Sequence, residues 1–192
     1  MLKYKTVGLL KFMKSIINSC YSLWTYDNQQ LKFDKLFKCL PSITSILISS
    51  DGSCTKIIDA INNNITNVKP FVNYVKNDYS WRTYKIYKIY REKWLINKKD
   101  KRSLFAFSTY QPKMFSKHRL KNITPLGKLF INAEIMLCRR TYKIICLSSW
   151  WLEQQFKSKG YIWSRQYVFL HKNSQFITLH ELFSPFLTRL CL

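Results

Sequence analysis

A carboxylate near the C-terminal end of the sequence is placed where it could take part in chemistry. Glu181 belongs to a run rich in aromatic and β-branched residues, and on a β-strand its side chain shares a face with Ile177, Leu179 and Phe183. A carboxylate in an apolar row needs a partner, or burial raises its pKa towards neutrality. We expect Glu181 to be an acid or base of this kind. The alternatives are a structural pair with an arginine and a strand with two solvated faces.

An arginine in another run of strand-like composition is the second candidate. Arg91 shares its face with Ile89 and Leu95, which suggests a guanidinium in an apolar setting. Lys93 lies on the same face and argues against deep burial. A planar guanidinium binds a carboxylate through two parallel hydrogen bonds. We interpret Arg91 by default as a solvated residue, and alternatively as a guanidinium held in an apolar setting.

The cysteines and histidines show no pattern typical of a metal site. Six cysteines are present, with no C-x-x-C pair and no zinc-like spacing to any of the three histidines. We expect reduced thiols in a reducing compartment, and no metal.

The balance of charge favours anionic partners. The 192 residues include 32 Lys and Arg but only 10 Asp and Glu, which gives a net charge of +22. The basic residues are spread along the chain, and no helix-turn-helix, zinc-finger or RNP pattern is present, so nucleic-acid binding is not favoured. Small dicarboxylates are anionic partners too. The abundance of Lys, Asn, Ile, Tyr and Phe is typical of an AT-rich genome.

The N-terminal segment predicts an amphipathic helix. Up to Tyr26 it has lysines and no acid, as in targeting segments, but Lys11 and Lys14 interrupt its apolar runs. Its apolar residues repeat at helical spacing: Leu9, Leu10, Met13, Ile16 and Ile17. We predict a helical segment over residues 1–40 and no transmembrane segment anywhere in the sequence.

The remaining pattern predicts an α+β fold in one domain over residues 1–192, with helices first and antiparallel hairpins after them. Three helix signals are present. Ser53 is an N-cap before Ile57, Ile58 and Ile61, and Asn62-Asn63-Asn64 ends that helix. Thr124 and Pro125 precede an apolar stripe that ends at Leu137, and residues 150–159 form a partly helical connection. The predicted strands are 68–75, 84–96, 103–110, 139–147 and the two arms of a hairpin, 163–170 and 176–183, stopped by Pro185.

Seven short motifs, in this order, resemble the chorismate pyruvate-lyase family, and above all its cyanobacterial branch and plastid-encoded relatives. They are Asp51-Gly52-Ser53-Cys54-Thr55, Arg91-Glu92, Ala106-Phe107-Ser108, Pro125-Leu126-Gly127, Arg139, Trp163-Ser164-Arg165 and Glu181-Leu182-Phe183-Ser184-Pro185. They extend over about residues 43–187. Their order is more specific than any one motif.

The resemblance implies an antiparallel sheet of about six strands, with helices that cover an enclosed ligand site. It implies a cofactor-free conversion of chorismate to 4-hydroxybenzoate and pyruvate, early in prenylquinone synthesis. The substrate-contacting positions are then Cys54, Arg91, Leu126 and Glu181. Arg91 would bind the ring carboxylate, and Glu181 would act as an acid or base or as a positioning group.

Four further side chains have a less certain place in this scheme. Cys54 and Leu126 would be apolar wall residues, although each also fits an ordinary core position. Arg139 and Arg165 would either serve the second carboxylate of the substrate or brace the sheet.

The sequence also departs from the family pattern. Many bacterial members have Met in place of Cys54, and a basic or amide residue in place of Phe107. Lys93 follows Arg91 in its strand. The later strand ends in Tyr110-Gln111-Pro112, which departs from the apolar end usual in the family. The changes at Cys54 and Phe107 bear on the shape and polarity of the pocket.

Three hypotheses follow. The first is a monomeric chorismate lyase of the plastid stroma, or alternatively of the cytoplasm, whose basic surface holds it near an anionic membrane. The second is a non-catalytic protein that binds a small aromatic acid, since similar folds serve as effector-binding modules. The third is a basic protein that binds RNA or a membrane surface, for which charge is the only argument.

Overall fold

Seven antiparallel strands form one sheet in the computed structural model, which describes residues 21–27, 40–50, 54–63, 65–79, 85–97, 100–110, 138–171 and 174–189. The strands are β1 (Tyr21–Asp27), β2 (Asn67–Tyr79), β3 (Lys85–Ile96), β4 (Arg102–Tyr110), β5 (Cys138–Ser148), β6 (Ile162–His171) and β7 (Ser174–Phe183). The helices are α1 (Ser42–Ser49), α2 (Cys54–Asn62), α3 (Trp150–Phe156) and α4 (Pro185–Thr188). Their order confirms the predicted α+β fold.

The sheet places the C-terminal hairpin at its centre. The strand order is β1-β5-β6-β7-β4-β3-β2, so that β7 lies between β6 and β4. The predicted hairpin is therefore correct, and each of its strands also has a second neighbour. A side chain near the middle of β7 therefore has neighbours on the same face of the sheet from both β6 and β4.

Each face of the sheet is covered by different helices. Helices α1 and α2 and the C-terminal α4 cover one face, which we call the site face because it carries the candidate residues; α3 covers the opposite face. The buried cluster on the site face consists of Leu47, Ile48, Cys54, Ile58, Leu95, Leu104, Ile144, Phe183 and Leu187. The cluster on the opposite face consists of Trp94, Phe105, Leu147, Leu152, Phe156, Ile162 and Leu182.

Local signals explain where several elements begin and end. Ser149 caps α3, since its side chain accepts a hydrogen bond from the Leu152 amide. Ser184 caps α4 in the same way, and Pro185 occupies the first helical position, so β7 ends before it. Asn63, with a φ of 48°, follows the end of α2. Of these residues, Asn63 and Pro185 are ones at which the sequence predicts breaks.

One fold expectation needs correction. The sheet has seven strands among the described residues, in keeping with the expected number of about six. The first of them, β1, lies inside the segment predicted to be helical, so that prediction is wrong for Tyr21–Asp27. β1 pairs with β5, which is more than one hundred residues away along the chain, and local periodicity does not reveal such a partner. The rest of the N-terminal segment and the helix predicted after Thr124 lie outside the described residues.

None of the helices in the described ranges has both the length and the apolar character needed to cross a bilayer.

Candidate functional site

Glu181 lies at the centre of the site face. The strand register places it directly opposite Arg165 on β6 and opposite Ala106 on β4. Only 6% of its surface is exposed. The predicted burial of this carboxylate is therefore confirmed, and its environment decides what it can do.

Four side chains surround the Glu181 carboxylate. Arg165 donates from Nε to Oε2 at 2.7 Å, and the Tyr167 hydroxyl donates to Oε1 at 2.9 Å. The Cys54 thiol donates to Oε2 at 3.4 Å, and Arg139 Nη2 lies 3.8 Å from the same oxygen. We call these five residues the Glu181 cluster. Both carboxylate oxygens thus accept hydrogen bonds.

The cluster keeps Glu181 ionised. Burial acts to raise the pKa of Glu181, but the charges of Arg165 and Arg139 and hydrogen bonds from Arg165 and Tyr167 outweigh it, and the pKa falls below its ordinary value. The expectation of a raised pKa was wrong, because it counted the apolar neighbours on β7 and missed the cations on β5 and β6. The alternative of a pair with an arginine is what the structure contains.

Cys54 and Tyr167 remain hydrogen-bond donors towards this carboxylate. Burial, followed by the charge of Glu181, raises the pKa of Cys54 to about 12, and the same two causes raise the pKa of Tyr167 well above its ordinary value. A thiol with so high a pKa is not a nucleophile at neutral pH. Cys54, expected to be an apolar wall residue, thus has a polar role at the first residue of α2.

Arg165 connects the sheet to the segment between α1 and α2. Besides its bond to Glu181, it donates from Nη1 to the carbonyl oxygens of Ile48 at 3.2 Å and Ser50 at 2.9 Å, and from Nη2 to the Cys54 sulfur. The residue is completely buried. These four hydrogen bonds to protein groups favour a bracing role for Arg165 over the binding of a ligand carboxylate.

Arg139 is placed differently from Arg165. Its Cζ lies 3.5 Å from the centroid of the Tyr167 ring, so that the guanidinium lies against the aromatic face and close to Glu181. This position makes Arg139 the better candidate of the two for a second ligand carboxylate.

Arg91 lies on the site face, one row along the strands from Glu181. It is opposite Ser108 on β4, which is in turn opposite Leu179 on β7. Only 3% of Arg91 is exposed, so its default interpretation as a solvated residue is wrong. Burial lowers the pKa of Arg91 to about 10, which leaves it charged at neutral pH.

Lys93, two residues further along β3, is also buried, with 6% of its surface exposed. It is opposite Ala106, so Lys93, Ala106 and Glu181 form one row across three strands. Two strand spacings separate the Cα atoms of Lys93 and Glu181 by roughly 10 Å. Small residues, Ala106 and Ser108, occupy β4 between the two sides.

This arrangement is suited to binding a small anion. Four basic side chains, Arg91, Lys93, Arg139 and Arg165, share the site face with one described acidic group, Glu181. The cations lie on both sides of a stretch of β4 whose side chains, Ala106 and Ser108, are short. Leu126, the fourth predicted contact residue, lies outside the described residues.

Sequence reasoning missed Tyr167 and the burial of Lys93. Tyr167 is two residues after Arg165 on β6 and therefore on the same face, a signal that was available once the hairpin was predicted. Among the described residues, no group of three or more His, Cys, Asp or Glu side chains could hold a metal ion.

The candidate site is thus a buried, mainly cationic cluster on one helix-covered face of an antiparallel sheet. The model of the family described as chorismate pyruvate-lyase, Rv2949c-like, matches residues 48–191, and the chain belongs to this family. The match agrees with the extent expected from the motifs.

Relatives with a similar sequence occur in algae. The chain is 30% identical over 164 residues to a protein of Antithamnion sp. named uncharacterized protein ycf21, with 84% of this chain and 89% of the relative covered. A protein of the same name in Porphyra purpurea is 27% identical over 148 residues, with 77% and 84% covered.

Solved structures share the fold at much lower identity. A gene product of Staphylococcus aureus superposes with a TM-score of 0.55 at 9% identity, covering 71% of this chain and 90% of that one. A protein described as a transcriptional regulator from Streptomyces coelicolor gives a TM-score of 0.51 at 11% identity, with 64% and 88% covered. At these identities the likeness concerns the fold alone.

Proposed function

We propose that the protein is a cofactor-free lyase that converts chorismate to 4-hydroxybenzoate and pyruvate. The observation that carries this proposal is that Arg91 and the Glu181 cluster are buried on one face of the sheet, on opposite sides of β4. The family model supplies the class of substrate, and the charge of the site agrees with it.

Arg91 binds the ring carboxylate in this scheme. A guanidinium and a carboxylate form two parallel charge-assisted hydrogen bonds, each of which contributes roughly 1.5–3 kcal/mol. Burial of Arg91 strengthens such bonds because little water competes for them. The ring then extends over Ala106 and Ser108 towards Glu181.

The reaction breaks the bond between ring carbon 3 and the ether oxygen and removes the hydrogen from carbon 4, which carries a hydroxyl group. The electrons of the broken C–H bond complete the aromatic ring. The departing enolpyruvate takes up a proton at its methylene carbon and becomes pyruvate, so atoms and charge balance. Because aromatisation is strongly downhill, holding the substrate in a reactive conformation supplies much of the rate.

Glu181 acts on the ring hydroxyl in this scheme. An ionised carboxylate accepts a hydrogen bond from the hydroxyl that becomes the phenol, and it polarises that group as the adjacent C–H bond breaks. Its lowered pKa makes it a weak base and removes the proton that a general acid would need. We therefore assign Glu181 a positioning and electrostatic role in contact with the substrate.

Arg139 and Arg165 have separate tasks. Arg139, which lies against the Tyr167 ring near Glu181, binds the carboxylate of the enolpyruvyl side chain. Arg165 holds Glu181 and the end of α1 in position. Cys54 and Leu126 remain proposed contact residues, Cys54 through its position beside the carboxylate.

A non-catalytic protein that binds an aromatic acid is the second candidate. Both oxygens of Glu181 already accept hydrogen bonds and the group is poor as an acid, which suits binding as well as turnover. A solved protein of this fold is described as a transcriptional regulator, which is consistent with a binding role for the fold.

The deciding experiment follows chorismate in the presence of the purified protein and measures 4-hydroxybenzoate and pyruvate separately. Equal release of both, lost in Arg91→Ala and retained in Arg140→Ala, supports the lyase; Arg140 is a suitable control because it is exposed. Saturable binding without product supports the second candidate. If the protein neither converts nor binds chorismate, both candidate functions are wrong.

We further infer a plastid location, in the stroma, from the resemblance to plastid-encoded relatives and from the AT-rich composition. The cytoplasm is the alternative. A monomeric state and attachment to an anionic membrane stay predictions.

A further inference from the structure

We propose that one end of the sheet binds the surface of an anionic lipid bilayer through exposed apolar side chains set among basic ones. We call this end the basic rim, and it consists of the described residues within 59–69, 96–103, 148–162 and 183–189. The inference does not depend on the proposed enzymatic function, because the rim lies outside the Glu181 cluster.

The strand register brings these four parts of the chain to the same end of the sheet. Leu147, near the end of β5, is opposite Ile162 at the start of β6. Asn67, at the start of β2, is opposite Ile96 at the end of β3. The end of β7 and the start of β4 lie between these two pairs with matching polarity. Five strand spacings separate β5 from β2, so the rim is roughly 24 Å wide.

Three large apolar side chains of the rim are exposed to water. The exposed fraction is 73% for Trp150, 64% for Tyr161 and 69% for Ile65. Among the described residues, the other large hydrophobic side chain of this kind is Ile46 on α1. Tryptophan and tyrosine suit the interface of a bilayer, because each combines an apolar ring with a polar group. Exposed apolar side chains gathered at one end of a fold are typical of an interaction surface.

Basic side chains surround these apolar residues. Lys157 and Lys159 are exposed in the connection between α3 and β6. The guanidinium of Arg189 fills the space that a β-carbon at Gly160 would need, and it therefore lies beside the residue that precedes Tyr161. Lysine and arginine at such positions attract anionic lipid headgroups while the neighbouring rings enter the interface.

The turn after β3 belongs to the same charged surface. Lys69 Nζ lies 2.7 Å from Oδ1 of Asp100 in this turn. The hydrogen bond and charge of Lys69, and then the charges of Lys157 and Arg102, lower the pKa of Asp100. The end of α3 is therefore close to the turn, and the basic surface is continuous across the rim.

Acidic side chains do not neutralise the rim. Glu153 accepts a hydrogen bond from the Gly160 amide at 2.8 Å, and Asp59 accepts one from the Thr66 amide at 2.6 Å. The charged residues of the rim as described are six basic and three acidic: Lys69, Lys101, Arg102, Lys157, Lys159 and Arg189, with Asp59, Asp100 and Glu153. The excess of positive charge complements an anionic surface, as does the net charge of +22 for the chain.

Ile65 favours a bilayer over a nucleic acid as the partner. Nucleic-acid bases stack on aromatic rings such as those of Trp150 and Tyr161, but an aliphatic side chain offers no stacking surface. A bilayer interface accepts aliphatic and aromatic side chains alike. The mixed composition of the rim is therefore that of a membrane-binding surface.

Sedimentation with lipid vesicles tests the proposal. The purified protein should bind vesicles of phosphatidylcholine with about 30% phosphatidylglycerol, and should bind vesicles of phosphatidylcholine alone at least about tenfold more weakly. Binding to the anionic vesicles should weaken as NaCl rises from about 50 mM to about 300 mM, because salt screens the attraction. Failure to bind the anionic vesicles overturns the proposal.

Two double variants separate the apolar from the basic contribution. Trp150→Ala with Tyr161→Ala should bind the anionic vesicles at least about tenfold more weakly than wild type, since less apolar area enters the interface. Lys157→Gln with Lys159→Gln should bind about thirtyfold more weakly, because each lysine near an anionic surface contributes about fivefold. All four side chains are exposed, so the urea midpoints should equal that of wild type and show that the fold is retained.

Matched controls lie outside the rim. Ile46→Ala removes an exposed apolar side chain from α1, and Arg140→Gln removes an exposed charge eight residues before Ser148 on β5, roughly 27 Å away along the strand. Both variants should bind vesicles as wild type does. Losses as large in these controls as in the rim variants, or unchanged binding by both rim variants, overturn the proposal.

Other partners of the rim give different results. Binding to single-stranded oligouridine that is lost in the Trp150→Ala and Tyr161→Ala double variant, without binding to vesicles, assigns the rim to a nucleic acid. Self-association of the wild-type protein that the same variant abolishes, again without vesicle binding, assigns the rim to a second copy of the chain. Either result overturns the bilayer as the partner.

Discussion

Arg165 and Glu181 are direct cross-strand partners at the centre of the sheet, and Arg165 Nε donates to Glu181 Oε2 at 2.7 Å. Both side chains are withdrawn from water, and the same guanidinium reaches carbonyl oxygens beyond the end of α1. The pair therefore fixes the carboxylate and attaches the covering helices to the sheet at one point. A buried charge held in this way is expensive to release, because removing one partner leaves the other unpaired.

Replacement of Arg165 by Met should destabilise the protein by about 3–5 kcal/mol at neutral pH, since the Glu181 carboxylate would then be buried without its main partner. The free energy of unfolding in urea measures this. Combining Arg165→Met with Glu181→Gln should recover part of the loss, because the second change removes the buried charge. A simple sum of the two single effects would contradict the pair as the source of the loss.

The low pKa of Glu181 predicts how activity depends on pH. In a Lys93→Arg background, which removes the titration of Lys93 near pH 7, kcat/KM for chorismate should be flat between about pH 6 and about pH 8.5, because Glu181 stays ionised there. A catalytic acid with a raised pKa would instead lose activity as the pH rises. Glu181→Gln should lower kcat by about tenfold or more, since an amide polarises the ring hydroxyl less well. Unchanged turnover would remove Glu181 from the reaction.

Much of the fold could be predicted from the sequence. The C-terminal hairpin follows from alternation, a polar turn and the stop at Pro185, and α2 follows from its apolar spacing and the asparagines after it. These signals are local. The pairing of β1 with β5 joins distant parts of the chain, and the composition of β1 alone does not specify that partner.

The sequence predicts the face on which Glu181 lies, but not the electrostatics around it. Alternation along β7 placed Glu181 correctly on a buried face, yet the row across the sheet decides its pKa, and that row contains Arg165. The burial of Arg91 likewise depends on what covers β3. A one-dimensional pattern gives the face on which a side chain lies, whereas its partners come from the register of neighbouring strands.

Glu92, on the opposite face of the sheet, predicts a second dependence of stability on pH. Its carboxyl group is fully buried, and neither of its oxygens has a hydrogen-bond partner among the described residues. Burial raises the pKa of Glu92 to about 7, above the ordinary value of 4.5. Ionisation of Glu92 therefore destabilises the folded state. This penalty grows as the pH rises from the pKa of the unfolded chain, 4.5, to that of the folded protein, about 7. Glu92→Gln should therefore be about 1–3 kcal/mol more stable than wild type at about pH 8, and equally stable at about pH 4.

The urea midpoints of wild type and Glu92→Gln, measured at both pH values, test the Glu92 prediction. Because the two proteins share all other carboxylates, the contributions of those groups cancel in the difference. A difference that does not change with pH would attribute the effect to packing instead of ionisation.

Cys54 should resist alkylation in the folded protein. Its buried thiol has a pKa of about 12, whereas Cys138 is exposed. Since the thiolate is the reactive form, iodoacetamide at about pH 8 should modify Cys138 at least about 100-fold faster than Cys54. Peptide mapping by mass spectrometry after timed quenching measures both sites in the same sample. Equal rates would contradict the position of Cys54 beside Glu181.

The lowered pKa of Lys93 predicts how the stability of the protein depends on pH. Its folded-state pKa of about 7 lies below the ordinary 10.5, so protonation favours the unfolded chain. The penalty is complete below about pH 7 and disappears as the pH rises towards the unfolded value. Lys93→Met should therefore be about 1–3 kcal/mol more stable than wild type at about pH 6, with the difference lost near pH 10. Urea unfolding of both proteins at the two pH values tests this. An equal difference at about pH 6 and about pH 10 would contradict the ionisation of Lys93 as its cause.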